Sequence, residues 1–261
     1  GLGMMDCKEA LTKNNGDMKA AEEWLRAKLK GKMDTRTERT TAQGRIGIAI
    51  SGSDAVIVEV RTETDFTARN DEFVAMVNDV TKAALKLPAG PVKADATITK
   101  RVDDVRIKTG ENVNFARGER LSGGTFGSYL HHDGKRGAII QLDVPAGTTV
   151  DADTLSGLCM HVVAHIPTPV GIDDKDVPAE TLEAIKQAAT AEAKEGGKPD
   201  QIAIKIAEGK VRKYLEENTL LDQKYVKDVT GKKSVREVLP KGVTVKKFGG
   251  YTVGGWSAIQ E

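Results

Sequence analysis

The same order of segments, a β-hairpin followed by a helix, occurs twice along this chain of 261 residues. Each hairpin is indicated by two strand-like runs around a short polar turn, and each helix by apolar residues at helical spacing. The six runs are, in chain order, 46–50, 55–60, 72–87, 126–130, 137–144 and 153–166. Because a sheet with one apolar face needs a covering layer, the repeat predicts an α+β fold of two similar halves, each an antiparallel sheet covered by helices.

Further segments flank these halves. Runs 5–13 and 18–30 predict two short helices, which are too small to bury a core without a third helix or another domain. Between the halves, the apolar spacing predicts a helix closed by Gly110 and then a strand at 113–120. Strand character returns at 243–253. The chain therefore combines a small helical head with the duplicated core.

A helical hairpin is predicted between 178 and 218. The run Gly196-Gly197-Lys198-Pro199 is a strong turn signal, and the segments on either side are long, charged and helical in pattern. Such arms have too few apolar residues to be enclosed on all sides, so the hairpin is expected to protrude. The apolar residues expected to face one another are Leu182 and Ile185 on the first arm and Ile202, Ile206 and Tyr214 on the second.

These segments predict a division of the chain into four parts. They are a helical domain with its connector at 1–39, a first core subdomain at 40–122, a second core subdomain at 123–177 and 219–256, and the helical hairpin inserted in it at 178–218. The length of 261 residues is sufficient for a sizeable core.

Charge and composition argue against several classes of function. The chain has 39 Lys and Arg residues and 38 Asp and Glu residues. The net charge of +1 therefore gives no overall electrostatic attraction to nucleic acid, a membrane surface or acidic substrates. No apolar run approaches the roughly 20 residues that span a bilayer, and we expect a cytoplasmic protein. Cys7 and Cys159 lack metal-site spacing, so neither a disulfide framework nor a zinc site is predicted.

The histidines offer an enzymatic hypothesis. His161 and His165 are four residues apart on a predicted helix, and with His131 they are the candidate ligands of a metal-dependent hydrolase. Yet the segment His161-Val162-Val163-Ala164-His165 lacks the glutamate of an HExxH helix, so ordinary polar positions are the favoured interpretation. No phosphate-loop, dinucleotide or serine-hydrolase motif occurs, and we predict no catalytic residue and no cofactor.

An aromatic ring stands at an unexpected place between the first hairpin and its helix. The stretch Thr64-Asp65-Phe66-Thr67-Ala68-Arg69-Asn70-Asp71 has capping residues suited to a helix entrance, but Phe66 has no capping role. The ring either folds back as a hydrophobic staple or projects as an anchor for a partner. Met4 and Met5 present a similar choice between core and adaptable contact surface, with the core favoured.

The ordered set of motifs resembles the elongation factor Ts family, the guanine-nucleotide exchange factors of elongation factor Tu. The resemblance runs nearly from end to end. The matching stretches are Gly3-Met4-Met5-Asp6-Cys7-Lys8-Glu9-Ala10-Leu11, Thr64-Asp65-Phe66, Gly110-Glu111-Asn112-Val113-Asn114, Gly127-Ser128-Tyr129, Met160-His161-Val162, Gly197-Lys198-Pro199 and Glu208-Gly209-Lys210.

This resemblance implies a fold and a partner. It implies an N-terminal domain similar to ubiquitin-associated (UBA) domains, whose first helix is expected upstream of Gly1, a two-part core, and an inserted antiparallel coiled coil. It implies that Met4 and Met5 contact the nucleotide-binding domain of elongation factor Tu, and that Asp65 and Phe66 insert near its magnesium site.

The third domain of elongation factor Tu is the implied partner of Gly110 and His131. The implied activity is GDP release without a chemical step, with no direct nucleic-acid or membrane partner. A non-exchanging adaptor is the competing binding hypothesis, and pairing of the hairpin with a second copy, giving a homodimer of complexes, stays open. Two positions depart from the family pattern: Thr67 stands where an aliphatic residue is more common, and Thr109 replaces a common Ile.

Overall fold

The computed structural model describes residues 3–256 and has the mixed helix and antiparallel-sheet architecture of an α+β fold. It divides into two compact units. Unit 1 comprises residues 3–122, 130–137 and 251–256, and unit 2 comprises residues 123–129 and 138–250. The predicted α+β class is confirmed, whereas the UBA-like and coiled-coil assignments and the four-part division at residues 39, 122, 177 and 218 stay predictions.

Two helices open unit 1, as predicted. They are α1, Met4–Lys13, and α2, Met18–Asp34. Asp17 caps α2, since its carboxylate accepts a hydrogen bond of 3.0 Å from the Ala20 N–H. The apolar cluster between the helices is small, with Ala10, Ala21 and Leu25 as its buried members.

The first sheet has the predicted hairpin at one edge. Its strands are β1, Gln43–Ser51; β2, Asp54–Thr62; β3, Gly90–Pro91; and β4, Asn114–Ser122. Their order in the sheet is β1-β2-β4-β3, and each paired neighbour is antiparallel. Ser51 pairs with Asp54 across a two-residue turn, so the predicted hairpin is confirmed.

Three further helices lie between β2 and β4 in the chain. They are α3, Asp65–Arg69; α4, Asp71–Ala84; and α5, Ala96–Thr109. Phe73 and Val77 of α4 join Val58 and Val60 of β2 in the core of this half. Helix α4 ends three residues before the predicted boundary of 87, because the chain passes into turns ahead of Pro88. Gly47 permits the helix to approach β1 closely, since a Cβ there would overlap the hydroxyl oxygen of Thr81.

The second half repeats the order of elements. Its sheet has the order β5-β6-β7, with β5 at Thr125–Leu130, β6 at Arg136–Asp143 and β7 at Thr244–Thr252. Helix α6, Ala152–Ala164, follows the hairpin, and Asp151 caps it by accepting from the Thr154 N–H at 2.7 Å. In both halves a third strand lies beside the second strand of the hairpin.

The predicted helical hairpin consists of α7, Ala179–Glu195, and α8, Asp200–Asn218. Its buried residues are alanines, namely Ala189 and Ala193 in α7 and Ala203 and Ala207 in α8. The predicted facing residues Ile202 and Ile206 are 47% and 36% exposed, so that part of the prediction is wrong. Small side chains let two helices approach closely, and the larger residues are then left on the outside.

Two short elements complete the description: a 3₁₀ turn at Asp174–Asp176 and α9, Val235–Val238. Within residues 3–256, no helix combines the length and the apolar character needed to cross a membrane. Cys7 and Cys159 are both free thiols, as the sequence predicted.

Candidate functional site

Helix α3 presents Phe66 to solvent, with 84% of the residue exposed. The helix buries Thr67 and Ala68 on its inner side, and the preceding position is left on the outside. Of the two interpretations of this ring, the hydrophobic staple is therefore wrong, because a staple would cover the ring against the helix that follows. An exposed ring on a short, capped helix has the geometry of an anchor.

The entrance to α3 is capped as the sequence predicted. The Thr64 hydroxyl accepts a hydrogen bond of 3.3 Å from the Thr67 N–H. Asp65 is the first helical residue, where a negative charge favours the helix dipole, and its carboxylate lies 3.4 Å from the Arg69 guanidinium. Asn70 then caps α4 by accepting from the Glu72 N–H at 2.8 Å. The ring thus stands on backbone that is fixed at both ends.

Glu111 hydrogen-bonds to the residues around the entrance of α3, and no local sequence pattern singled it out. Its half-buried carboxylate accepts hydrogen bonds from Thr62, Thr64 and Thr67. Burial acts to raise the pKa of Glu111, but the hydrogen bonds from the three threonines outweigh it and hold the pKa below its ordinary value. The carboxylate is therefore ionised at neutral pH.

The residues on either side of Glu111 attach the preceding connector to the same place. Gly110 ends α5 in the left-handed conformation with φ of 71°, and its carbonyl oxygen accepts from Arg36 at 2.7 Å. Asn112 donates to the carbonyl oxygens of Thr37 and Arg39 at 3.0 and 2.9 Å. Gly110, a predicted contact residue, thus lies one position from the carboxylate that supports the Phe66 helix.

Met4 and Met5 lie in the first turn of α1 and are 86% and 74% exposed. The favoured interpretation of these two residues as core is therefore wrong. The apolar contacts of α1 are made by other residues, including Ala10, so both thioethers remain on the surface. Their role as contact residues stays a prediction.

His131 lies in the turn between β5 and β6, in the part of that turn that belongs to unit 1. Its N–H donates to the Arg136 carbonyl at 2.8 Å, and its ring centroid lies 4.2 Å from that of His132. The turn is attached to the first sheet, because the Ile46 N–H donates to the Gly134 carbonyl at 2.8 Å. This places the predicted contact residue on unit 1 together with Asp65, Phe66 and Gly110.

The histidine pair of unit 2 has a structural role. His161 is fully buried, its Nδ1 accepts from the Val226 N–H at 3.1 Å, and its Nε2 lies 3.0 Å from Oε1 of Gln223. Burial lowers the pKa of His161 to about 4, so the ring is neutral at pH 7. Both ring nitrogens are already engaged, and the hydrolase hypothesis loses this ligand. The partner of His165 is the carbonyl oxygen of Pro167, 2.9 Å from its Nδ1.

Comparison with known proteins gives a consistent result. A family model described as Elongation factor TS matches residues 63–255. Elongation factor Ts of Methylococcus capsulatus is 40% identical over 97% of this chain and 88% of that protein. The proteins of the same name from an Acidovorax species and from Brucella anthropi are 39% and 38% identical, and the matches cover 96% and 87% of this chain and 85% and 78% of those proteins.

Proposed function

The chain belongs to the elongation factor Ts family, and on that premise we propose that this translation elongation factor binds elongation factor Tu carrying GDP and promotes the release of GDP. The observation that carries the proposal is the 84% exposure of Phe66 on a capped, firmly attached helix. A bulky ring held outside its own core has no packing role there and suits an apolar wedge for a partner.

Each exposed site residue has a place in this proposal. Phe66 supplies the wedge near the magnesium and nucleotide site of elongation factor Tu, and Asp65 supplies a polar contact beside it. Met4 and Met5 bind the nucleotide-binding domain through flexible, exposed thioethers. The third domain of the partner is bound by the surface around His131, with Gly110 as a further contact.

Exchange follows from binding alone. A GTPase holds its nucleotide through phosphate contacts and Mg²⁺. A protein that stabilises the nucleotide-free form of the GTPase weakens nucleotide binding by some factor. Bound nucleotide must then weaken the binding of that protein to the GTPase by the same factor. No proton transfer and no covalent step is needed, so the protein is an exchange factor without a chemical reaction of its own. GTP then rebinds to the emptied site.

The remaining parts of the chain have proposed identities within this family. We assign α1 and α2 to a UBA-like domain and α7 and α8 to an inserted antiparallel coiled coil. The proposed partner set is elongation factor Tu without direct contact to nucleic acid or membrane, and the proposed compartment is the cytoplasm, where translation takes place. Exposed Ile202 and Ile206 leave the coiled coil with apolar surface for a second copy of the complex.

Labelled GDP release from elongation factor Tu tests the proposal directly. Phe66→Ala should reduce stimulated release by about 30- to 1,000-fold, since truncation of a central aromatic anchor typically costs about 2 to 4 kcal/mol. The free energy of unfolding should change by less than about 0.5 kcal/mol, because the ring is exposed.

Met18→Ala is the matched control, since Met18 is 73% exposed on α2 and lies outside the predicted contact set. It should leave release within about twofold of wild type. Equal release with Phe66→Ala and with wild type would remove the wedge from the mechanism. Tight binding of the wild-type protein to elongation factor Tu without faster GDP release would make it an adaptor.

A further inference from the structure

Four hydrogen bonds converge on the carboxylate of Glu111 from the segment around Phe66, which we define as residues 62–69 and call the Phe66 segment. Oε1 accepts from the hydroxyls of Thr64 at 2.6 Å and Thr67 at 2.7 Å. Oε2 accepts from the Thr62 hydroxyl at 2.7 Å and from the Thr64 N–H at 3.1 Å. An ionised carboxylate has about four acceptor sites, so this one segment occupies them all.

Glu111 also determines the orientation of the Thr64 hydroxyl, which caps α3. A threonine hydroxyl has a single proton, and Thr64 directs that proton to Glu111. The oxygen lone pairs of Thr64 are then available to accept from the Thr67 N–H, which is the N-cap bond of α3. The carboxylate therefore sets the orientation of the group that starts the helix.

The position of Phe66 depends on this backbone, because the ring is too exposed for packing to fix it. Thr64 and Thr67, which stand on either side of Phe66, both donate to the same Glu111 oxygen. A side chain between two such attachments follows the backbone that they define.

Glu111 is itself attached to α5. Its N–H donates to the Thr109 hydroxyl oxygen at 3.3 Å, and that hydroxyl donates to the Val105 carbonyl at 2.8 Å. The carbonyl of Gly110 accepts from Arg36 at 2.7 Å. The two positions that depart from the family pattern, Thr67 and Thr109, therefore both hydrogen-bond to Glu111.

We propose that Glu111 is a positioning residue for exchange: it holds the Phe66 segment in the conformation that presents the ring, and it acts through Phe66. This inference rests on the proposed function. Loss of the carboxylate lets the segment populate other conformations. The apparent affinity for the partner is then the intrinsic affinity multiplied by the fraction of molecules that remain in the binding-competent conformation. The maximal rate at saturation is retained, since the competent conformation is unchanged.

The test is a double-mutant cycle in labelled GDP release from elongation factor Tu, with Glu111→Gln, Phe66→Ala and the double variant. Glu111→Gln should raise the concentration for half-maximal release about tenfold, with the maximal rate within about twofold of wild type. In the Phe66→Ala background the same substitution should add less than about twofold, because its effect passes through the ring. General destabilisation would instead act equally in both backgrounds.

Glu72→Gln is the matched control. Glu72 lies at the start of α4, next to the Phe66 segment, and pairs with Lys108 on the surface, so its release curve should match wild type. If Glu111→Gln does not fold, Thr67→Val removes one of the four bonds at nearly constant shape. It should raise the half-maximal concentration about threefold and have no added effect in the Phe66→Ala background.

The outcomes separate the two proposals. Wild-type release with Phe66→Ala overturns the wedge, and the positioning role with it, because Glu111 acts through the ring. Failure of the wild-type protein to speed GDP release overturns the proposed function itself. Impaired release with Phe66→Ala, but wild-type curves with Glu111→Gln or with its substitute Thr67→Val, overturns only the positioning role. Effects that multiply fully in the double variant overturn it as well, since Glu111 would then act independently of Phe66.

Discussion

The helices that follow the two hairpins place a ring in opposite ways. In the first half, β2 leads into the short helix α3, which leaves an apolar ring 84% exposed above a cluster of hydrogen-bonded polar groups. In the second half, β6 leads through residues 144–151 to α6, and the polar ring of His161 in the last turn of α6 is completely buried. The order of elements is similar, but the first half exposes an apolar ring and the second half buries a polar one.

In both halves, the buried polar side chains have hydrogen-bond partners. His161 is tolerated in the core because the Val226 N–H and Gln223 occupy its two nitrogens. Thr62 and Thr67 are tolerated beneath α3 because Glu111 accepts from both hydroxyls. At the entrance to α3 the buried threonines are paired with Glu111, and the ring of Phe66 is left exposed.

The largest expected effect is at the buried ring of the second half. His161→Leu removes the partner of the Val226 N–H and of the side-chain oxygen Oε1 of Gln223, and each unpaired buried group costs about 1 to 3 kcal/mol. We expect a loss of about 3 kcal/mol in the free energy of unfolding at pH 7, measured by chemical denaturation. Stimulated GDP release by the folded variant should stay at the wild-type level.

His165→Leu is the paired control, because His165 is only half-buried and its Nδ1 bonds to the Pro167 carbonyl oxygen. Its cost should stay below about 1 kcal/mol. Equal losses for the two variants would mean that the burial of His161 contributes little, and the contrast between the halves would disappear.

A smaller effect is expected from pH. The pKa of His161 is about 4 in the folded protein, below its ordinary value of 6.5, because burial disfavours the imidazolium. Between these values the unfolded chain binds a proton that the folded chain does not, so stability is present above pH 6.5 and is lost as pH falls. The loss between pH 8 and pH 5 should be roughly 2 kcal/mol.

Denaturation of wild type and of His161→Leu at several pH values isolates this contribution. The wild-type curve should fall more steeply than that of the variant below pH 6.5. Parallel curves would show that the ring does not resist protonation in the folded state.

The smallest effect concerns the glycine in the first strand of each hairpin. Gly47→Ala should cost about 1 to 2 kcal/mol, because the new methyl group overlaps the Thr81 hydroxyl. Adding Thr81→Ala should recover at least half of that loss in thermal or chemical denaturation. In the second half a Cβ on Gly127 would lie 2.7 Å from the backbone carbonyl oxygen of Leu155.

No side-chain truncation can relieve that second contact, so Gly127→Ala should stay destabilised by a similar or larger amount in every background. Failure of Thr81→Ala to rescue Gly47→Ala would place the strain in the contacts of 3.1 Å with the Val58 and Val77 methyl groups rather than at the Thr81 hydroxyl.

Sequence reasoning succeeded where local patterns decide the structure. The two hairpins, the long helices, the caps at Thr64 and Asp17 and the helix end at Gly110 follow from residues a few positions apart. The order of short motifs along the chain predicted the family, which the family model and the relatives confirm. Exposure of Phe66 could not be decided locally, because a staple and an anchor share the same sequence pattern.

What the sequence did not reveal depends on contacts between distant segments. Glu111 meets its threonines across 44 to 49 positions, and His161 meets Gln223 across 62. The facing residues Ile202 and Ile206 of the helical hairpin were wrongly predicted for another reason, since hydrophobicity favoured these isoleucines over alanines that pack more closely. Neither periodicity nor capping rules carry that information.

The isolated exposure of Phe66 also bears on colloidal behaviour. A lone aromatic ring is far smaller than the apolar patches that drive self-association. Charged Asp65, Arg69 and Asp71 stand beside it in the chain, and charges that flank an apolar residue oppose aggregation. The ring can therefore remain accessible in a concentrated protein solution without making the molecule adhere to its own copies.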